Sequence, residues 1–400
     1  MTLKVISICG GVGFPVGLAT TQTIAYIAGA LREMGAATTV LHCGPHPYLP
    51  AVPRTGEHRG TRYRYLGATT QRPTSWGLRA LCYLTAYVEL AYRLAALRIA
   101  RTDAVTVVCL HVQGCTLNLY AGILCTILRF PIVIESCEWE PDFPGTSAFV
   151  KWIYRQVMFR FCSRAIVISR QIEANITSLD VYRHRPFPIY RRPVMIDPAE
   201  FTPRISVSGP GEPTLVWCGD ITPYLRDVLF LISVLAKINS DGHSCVLEIV
   251  GPSTAEAKDV VEKHRQREGL LAAQVRMRGY ITRPEMLDAC RRATILVQPM
   301  WDDVRSKARF PNKIGEYLMS GRPVVTCAIG EVAEYLTDGF NAVFYEVGDS
   351  AACAKVIGAL LDDPGRAHAV GLAGQELALR TFAYQAHGPE LFDLFGTVTR

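Results

Sequence analysis

The segment RFPNKIGEYLMSGRPVV (residues 309–325) has the pattern of a short helix that leads into a buried strand. Phe310 and Pro311 precede the helix, which is predicted to begin near Asn312. The first N–H groups of a helix, here those of Asn312 and Lys313, have no helical carbonyl to bind and lie at the positive end of the helix dipole. We therefore predict that this helix start binds a pyrophosphate.

Glu316 lies one turn further along the same helix. Its carboxylate is suited to accept hydrogen bonds from the 2′- and 3′-hydroxyls of a ribose, as acidic residues do in other nucleotide-binding folds. The alternative is an ordinary capped helix with a glutamate on its surface. The segment thus favours a nucleoside diphosphate site, in which Glu316 holds the ribose.

Short β-branched runs alternate with helix-length segments along the whole chain. This alternation predicts parallel sheets covered by helices on both faces. The predicted fold class is therefore α/β, with two Rossmann-like doubly wound domains that face each other across a cleft. In such sheets ligands bind beyond the carboxyl ends of the strands. The predicted strands cover residues 3–9, 38–43, 104–112, 131–135, 165–169, 214–219, 245–251, 274–280, 293–299, 323–327 and 341–345.

A polar, proline-rich segment over residues 183–213 separates the two halves of the chain and is predicted to be a linker. We place the N-terminal domain at residues 1–190, the linker at 191–213 and the C-terminal domain at 214–378. Residues 379–400 are predicted to form a helix that packs back on the N-terminal domain.

Charge is distributed unevenly along the 400 residues. Residues 1–200 carry a net charge of +9 and residues 201–400 a net charge of −3. A polar stretch rich in arginine is predicted to be a loop, which is either simply solvated or attracted to anionic lipid headgroups or to a phosphate-bearing acceptor. No nucleic-acid-binding motif is visible, so nucleic acid is not an expected partner. The loop arginines are Arg54, Arg59, Arg62, Arg64 and Arg72.

The most apolar long segment, residues 80–100, contains Glu89, Arg93 and Arg98. These charges fall on one half of a helix, which predicts an amphipathic helix rather than a membrane span. The helix either packs on a domain sheet or lies on a membrane surface. We find no signal peptide, and none of the thirteen cysteines forms a C-x-x-C pair, so a reducing cytoplasm without a metal site is expected.

The loop CGGVGFPVGLATTQ (residues 9–22) follows the first predicted strand. Gly11 and Gly13 allow tight turns and close approach of a ligand. The loop lacks the third glycine of the dinucleotide fingerprint, where Val16 stands, and it lacks the Gly-Lys-Ser/Thr of a P-loop. It is therefore either a ligand-binding loop or a connecting turn.

The segment around Glu316 resembles the signature of the GT-B retaining glycosyltransferases of family 4. Their signature is a glutamate, seven residues, and a second glutamate on a helix that ends in Gly-x-Pro-Val-Val. Glu316 matches the second glutamate and residues 321–325 match the ending, whereas Ala308 stands in place of the first glutamate. Because the first glutamate tends to contact the donor sugar in the family, its absence puts the identity and contacts of that sugar in doubt.

The resemblance extends over nearly the whole chain and implies a donor site in the C-terminal half. Arg226 occupies the place of a family lysine that holds the donor phosphates, and Asp220 replaces the family's arginine. The resemblance also assigns the segment from Gly279 to Ile281 to the nucleobase. The donor-binding residues that it implies are Gly219, Gly279, Tyr280, Ile281, Phe310, Asn312, Lys313 and Glu316.

On the acceptor side the resemblance implies the glycine loop, including Gly11 and Gly13, and residues near the ends of two N-terminal strands. Glu138 stands where many members have a histidine near the reacting centre. His111, at the end of another strand, is either an acceptor-side residue or a structural histidine. The predicted catalytic residues are Glu138, Arg226 and Lys313.

The function implied is transfer of a sugar from a nucleoside-diphosphate sugar to a hydroxyl of a saccharide or lipid-linked acceptor, with retention. No Asp-x-Asp is present, so no metal is expected, and no cofactor is implied because the nucleotide sugar is a substrate. Envelope or extracellular polysaccharide or glycolipid synthesis is the expected context, with cytoplasmic location and peripheral membrane contact. The alternatives are a GT-B epimerase or hydrolase of nucleotide sugars, a non-catalytic nucleotide-sugar-binding protein and, third, an NAD-dependent oxidoreductase.

Overall fold

The computed structural model describes residues 2–17, 19–46, 52–100, 104–111, 114–143, 145–201 and 212–397. The chain divides into two compact units. Unit 1 comprises Met1–Met195 together with Tyr384–Arg400, and unit 2 comprises Ile196–Ala383.

Unit 1 contains a sheet of eight strands in its described residues, in the order β3-β4-β2-β1-β5-β6-β7-β8. All neighbours pair in parallel except β3 and β4, which are antiparallel. Strand β1 is buried along almost its whole length, as expected for a parallel strand covered on both faces. The strands are β1 (Leu3–Cys9), β2 (Ala37–Cys43), β3 (Thr55–His58), β4 (Thr61–Leu66), β5 (Val105–His111), β6 (Ile132–Ser136), β7 (Arg164–Val167) and β8 (Ile189–Arg191).

Helices connect most of these strands. Ile24, Ile27 and Leu31 repeat at helical spacing and are fully buried against the sheet, which explains why the first of the helices forms where it does. The unit 1 helices up to residue 195 are α1 (Ala19–Glu33), α2 (Trp76–Ile99), α3 (Cys115–Ile127), α4 (Ala148–Gln156), α5 (Arg170–Thr177) and α6 (Asp180–His184).

The arginine-rich stretch predicted as a loop is largely a β-hairpin, so that prediction is wrong. β3 and β4 pair around a turn at Arg59 and Gly60, both of which have positive φ. In β4 the buried Tyr63 and Tyr65 alternate with arginines, which is the period of a half-buried strand. The proline and glycine residues on either side of this alternation hid the signal in the sequence.

Part of the predicted linker segment 183–213 also belongs to the sheet. β8 pairs in parallel with β7. Directly after it, Arg192 is fully buried, as are Val194 and Ile196. These residues therefore have the packing of a core rather than of a linker, and residues 202–211 lie outside the described part of the chain.

Unit 2 contains a six-stranded parallel sheet in its described residues, in the order β11-β10-β9-β12-β13-β14. The strands are β9 (Thr214–Cys218), β10 (Val246–Val250), β11 (Val275–Gly279), β12 (Ile295–Val297), β13 (Val324–Thr326) and β14 (Val343–Phe344). The helices are α7 (Leu225–Ser240), α8 (Ala255–Arg267), α9 (Arg283–Arg292), α10 (Val304–Ala308), α11 (Asn312–Met319), α12 (Val332–Tyr335), α13 (Ser350–Asp362) and α14 (Pro364–Leu377).

The chain returns to unit 1 after Ala383. Helix α15 (Gly388–Gly396) packs there against α1. Leu391 and Phe395 are fully buried in the same cluster as Ile27 and Leu31 of α1. The predicted α/β fold with two parallel-sheet domains is thus confirmed.

Candidate functional site

The strand order of unit 2 contains one reversal. β9, β10 and β11 follow one another in one direction along the sheet, and β12, β13 and β14 follow one another in the opposite direction. Ligands of open parallel sheets bind outside the carboxyl ends of the two strands at such a reversal. The segments that follow β9 and β12 therefore form the candidate donor site.

Three arginines converge on two aromatic side chains in these segments. The guanidinium of Arg226 lies 3.5 Å from the centroid of the Trp301 ring. Arg309 donates a hydrogen bond of 2.7 Å to the hydroxyl of Tyr224, and Arg305 donates one of 3.3 Å to the same hydroxyl. The sequence prediction included only Arg226 among them. Arg309 is the first residue of the segment 309–325 from which the donor site was predicted, so its position was a signal that could have been used.

Helix α11 begins beside this cluster, as predicted. Its N-cap residue is Pro311, which has no side-chain acceptor for the first N–H groups of the helix. The N–H of Ile314 donates to the Pro311 carbonyl at 3.0 Å. The helix is attached to β9 because the Cys218 N–H donates to the Tyr317 hydroxyl at 2.7 Å. The predicted phosphate-binding amides of Asn312 and Lys313 thus open a helix that is fixed at the end of β9.

Glu316 is buried, so the alternative of a surface glutamate is wrong. Its Oε2 lies 2.7 Å from Nζ of Lys313, and its Oε1 lies 2.6 Å from Nη1 of Arg283. Arg283 also donates to both carboxylate oxygens of Glu200, at 2.8 and 2.7 Å. Lys313, which was predicted to hold a phosphate, therefore forms an ion pair with Glu316. Arg283 and Glu200 complete an ion-pair network that sequence reasoning missed.

The network keeps Glu316 ionised. Burial raises the pKa of its carboxyl, but the charges and hydrogen bonds of Lys313 and Arg283 outweigh burial and lower the pKa to about 2. For Lys313, burial lowers the pKa of the ammonium and the Glu316 carboxylate more than compensates, so this pKa is raised. Each Glu316 oxygen accepts one hydrogen bond in the network, and a carboxylate oxygen has the capacity for a second.

Acid should weaken unit 2 through Glu316. A carboxyl whose pKa falls from its ordinary value of 4.5 to about 2 on folding contributes stability above pH 4.5, and this contribution is lost as the pH falls towards 2. Between pH 6 and pH 3 we expect the wild type to lose on the order of 2 kcal/mol more unfolding free energy than Glu316→Gln. Urea unfolding followed by tryptophan fluorescence measures the difference, and equal losses would contradict it.

Three glycines stand at the carboxyl ends of β9, β10 and β11: Gly219, Gly251 and Gly279. The Gly251 N–H donates to the Gly279 carbonyl at 2.9 Å, and a Cβ on Gly251 would overlap the Gly219 carbonyl oxygen. Glycine is therefore required at residue 251, which sequence reasoning missed. Tyr280 is exposed and Ile281 is half-buried directly after β11. The nucleobase contact predicted for these two residues stays a prediction.

Phe310 does not offer its side chain to a donor. It is 2% exposed and packs against Tyr335 and Phe382, with ring centroids 5.3 and 5.7 Å apart. Its side chain therefore supports the start of α11 from the core, and the donor-binding role of Phe310 stays a prediction. Ala308, in the place of the first signature glutamate, is also buried. Asp220 accepts the Thr222 N–H at 3.1 Å, as in a turn.

The predicted acceptor-side carboxylate, Glu138, is exposed just beyond β6. Two residues further, Glu140 is half-buried, and burial followed by the charge of Glu138 raises the pKa of its carboxyl. Glu140 is thus a second candidate proton acceptor that the sequence prediction did not include.

His111 belongs to a buried ion cluster. Its Nδ1 lies 3.2 Å from Oε2 of Glu135, whose Oε1 accepts hydrogen bonds from Arg192 at 2.7 Å and from Cys137 at 2.6 Å. Burial raises the pKa of Glu135, but the hydrogen bond from His111 and the charge of Arg192 outweigh it and lower the pKa to about 2. The structure favours the structural role for His111 over the acceptor-side role.

The glycine loop after β1 is held in place by the residues around it. A Cβ on Gly13 would overlap the Val16 carbonyl oxygen and the His46 ring, and Thr21 donates to the Gly13 carbonyl at 2.5 Å. Gly11 is exposed, has φ of 77° and has open space where a Cβ would stand. Gly11 is therefore a position of this loop that a ligand could approach.

Comparison with known proteins extends the description of unit 2. Residues 212–363 match the family model described as Glycosyl transferases group 1. D-inositol 3-phosphate glycosyltransferase 1 of Catenulispora acidiphila is 32% identical over 123 residues, which cover 28% of this chain and 28% of that protein. The corresponding enzyme of Xylanimonas cellulosilytica is 28% identical over 120 residues, or 30% of this chain and 27% of that protein. The matched part thus spans less than a third of these curated relatives.

Solved structures resemble the chain over its whole length. Sucrose-phosphate synthase of Thermosynechococcus elongatus has a TM-score of 0.73 at 16% identity, with 99% of both chains covered. HepE of Anabaena, in complex with UDP and glucose, has a TM-score of 0.70 at 13% identity, with 99% of this chain and 100% of that chain covered. At such identities the likeness shows the fold, and the chain has the GT-B fold of glycosyltransferases.

Proposed function

We propose that the chain is a hexosyltransferase that moves a sugar from a nucleoside-diphosphate sugar to a hydroxyl of a saccharide or lipid-linked acceptor. The observation that carries this proposal is the convergence of Arg226, Arg305 and Arg309 beside the start of α11, at the strand reversal of unit 2. These residues lie within the part of the chain that matches the glycosyltransferase model. Envelope or extracellular polysaccharide or glycolipid synthesis is the proposed context.

The donor chemistry follows from the charges. When the bond between the anomeric carbon and the diphosphate breaks, its electron pair goes to the diphosphate, and the sugar gains oxocarbenium character. Cations and helix amides that are already in place stabilise such a developing charge without reorganisation. We therefore propose that Arg226, Arg309 and the amides of Asn312 and Lys313 stabilise the leaving group. With these cations the reaction needs no metal ion.

Glu316 is proposed to hold the ribose. Its free lone pairs are available to the ribose hydroxyls, while Lys313 and Arg283 keep the carboxylate charged and oriented. Lys313 is proposed to act mainly by orienting Glu316 and by contributing positive charge near the diphosphate.

The acceptor is proposed to bind on unit 1. As the acceptor oxygen bonds to the anomeric carbon, its proton passes to the carboxylate of Glu138 or Glu140, or to the departing diphosphate. Retention through attack on the face that the diphosphate leaves is proposed from the family resemblance. We also propose a cytoplasmic location with peripheral membrane contact.

Nucleoside diphosphates should stabilise the protein against heat. HepE and a trehalose-6-phosphate protein of E. coli were solved with UDP or a UDP-sugar, so UDP-glucose is the first donor to test, with GDP, ADP and TDP compounds beside it. A ligand at one hundred times its Kd adds about 2.7 kcal/mol of stability, which corresponds to a rise in Tm of roughly 5–10 °C for a unit of this size.

Two results would contradict the proposal. If none of these nucleotides raises the Tm, α11 and the three arginines do not form a donor site. If the enzyme converts a nucleotide sugar promptly and completely without an acceptor, it is an epimerase or hydrolase instead. Incubation with the nucleotide sugar alone, followed by chromatography of the products, distinguishes these activities from transfer.

A further inference from the structure

The outward face of α2 is apolar. Fully buried residues on its other side attach the helix to β2 and β4. On the outward side no charged residue interrupts the series Leu81, Leu84, Val88, Tyr92 and Ile99, whose exposures range from 52% to 78%. Trp76 is exposed at the beginning of the helix. The sequence prediction grouped the charged residues on one half of this helix, and the structure leaves an apolar stripe of it uncovered. The residues buried on the other side are Ala86, Leu90 and Leu94.

Helix α3 extends this apolar surface. Tyr120 of α3 stacks on Tyr87 of α2, with ring centroids 4.9 Å apart, and its hydroxyl donates to the Tyr87 carbonyl at 2.9 Å. Ile123 and Ile127, one and two turns beyond Tyr120, are exposed. We call the exposed large apolar and aromatic side chains of these two helices the α2–α3 face; it comprises Trp76, Leu78, Leu81, Leu84, Val88, Tyr92, Ile99, Ile123 and Ile127.

The surroundings of the α2–α3 face are positively charged. Residues 72–100, which comprise α2 and the segment leading into it, contain four arginines and a single acidic residue, Glu89. Glu89 is enclosed by Arg54 and Arg93, each 2.8 Å from one of its oxygens, and it accepts the Gly67 N–H at 2.9 Å. Arg72 before α2 and Arg98 near its end are exposed. The face therefore combines apolar and aromatic side chains with an excess of positive over negative charge.

We propose that the α2–α3 face docks unit 1 on the surface of a bilayer that contains anionic lipids. Tryptophan and tyrosine favour the membrane–water interface, and exposed arginines near it are attracted to anionic headgroups. A second copy of the chain fits less well, because a symmetric interface would bring the same arginines of two protomers together. The inference rests on the peripheral membrane contact proposed above. It does not depend on which sugar nucleotide or which acceptor the enzyme uses.

The helix is proposed to lie on the bilayer rather than to cross it. Among the helices in the described part of the chain, α2 is the one that is long and apolar enough to span a membrane. Crossing would require its buried stripe to leave the sheet of unit 1 and would break the ion pairs of Glu89 with Arg54 and Arg93. An apolar stripe flanked by arginines on an otherwise packed helix is typical of interfacial binding.

Vesicle binding tests the inference with the full chain and without any sugar nucleotide. We expect the protein to co-sediment with vesicles of phosphatidylcholine containing about one third phosphatidylglycerol, at least about tenfold more tightly than with phosphatidylcholine alone. High salt should reduce the difference. Leu84→Glu with Val88→Glu should lower the affinity for the anionic vesicles by about tenfold or more, because two charges enter the apolar stripe.

The matched control places the same charges on exposed apolar positions of unit 2, as Leu271→Glu with Leu372→Glu. This control should bind vesicles like the wild type. Trp76→Ser, at a residue that is 80% exposed, is a second variant that should weaken binding severalfold without affecting the fold. Circular dichroism and Tm confirm that each variant is folded.

Three outcomes would overturn the inference. The first is that the wild type does not bind anionic vesicles. The second is that the unit 2 control loses binding as strongly as the α2 variant. The third is that ultracentrifugation shows a wild-type dimer, which Leu84→Glu with Val88→Glu converts to a monomer, and that the protein does not bind vesicles. A negative vesicle result leaves the transferase proposal standing, because the nucleotide-dependent rise in Tm is measured without lipid.

Discussion

Glu316→Gln should lower kcat/KM for the sugar nucleotide by roughly a hundredfold, chiefly through a higher donor KM. The substitution keeps the shape of the side chain but removes the charge that Lys313 and Arg283 neutralise at 2.7 and 2.6 Å. A buried hydrogen bond to a charged group is worth about 1.5–3 kcal/mol. Two such contacts orient the group that is proposed to hold the ribose. Steady-state kinetics with varied donor and saturating acceptor measure the change.

The same variant should also be less stable, because removing one partner of a buried ion pair leaves the other charges uncompensated. Kinetic constants are therefore compared at a temperature well below the Tm of the variant. Glu376→Gln, at an exposed glutamate of the same unit, is the matched control and should leave both KM and Tm unchanged. A Glu316→Gln enzyme with normal donor KM and reduced stability would show that Glu316 is structural only.

The order of strands and helices could be predicted from the sequence because its signal is local. In β1 five of seven side chains are apolar and in β9 four of five, as expected for strands covered on both faces. Pro311 before α11 and the glycine after it identify the helix that carries the site. The resemblance to GT-B glycosyltransferases, drawn from these same residues, is confirmed for the fold. Retention and membership of family 4 stay predictions.

The contacts that organise the site could not be predicted, because they join residues far apart in the chain. Arg283 reaches Glu200, 83 positions away, and Glu316, 33 positions away. In unit 1, Glu135 and Arg192 form a fully buried pair across 57 positions. Nothing in the local pattern distinguishes these charged residues from solvated ones, whereas the alternation of tyrosine and arginine in β4 was a local signal that could have been used.

Helix α2 shows a different limit of sequence reasoning. The helical period correctly grouped Glu89 and Arg93 on one side, but it does not tell which side of a helix meets the protein. In the structure Glu89 is hydrogen-bonded to Arg54, directly before β3, and to the N–H of Gly67, directly after β4. The hairpin itself was predicted as a loop, so the partner that attracts the charged side was not foreseen.

Arg309→Met should lower kcat by roughly 10²–10³ while changing the donor KM little. In other enzymes, removing one preorganised hydrogen-bond donor to a charge that develops in the transition state has an effect of this size. Arg309 lies just before the start of α11, and its guanidinium is held by a hydrogen bond of 2.7 Å to the Tyr224 hydroxyl. Tyr224→Phe, which keeps the ring and removes that hydroxyl, should therefore show a smaller loss of kcat than Arg309→Met.

Arg226→Met is expected to lower kcat in the same way, because its guanidinium is held over the Trp301 ring at 3.5 Å. Arg276→Met is the matched control, since Arg276 of the same unit is paired with Glu212 and about half exposed; it should retain the wild-type kcat. Single-turnover measurements with saturating donor separate the chemical step from product release. If Arg309→Met raises KM and leaves the single-turnover rate intact, Arg309 binds the donor in its ground state only. In that case the charge on the departing diphosphate must be stabilised by Arg226 and by the N–H groups that open α11.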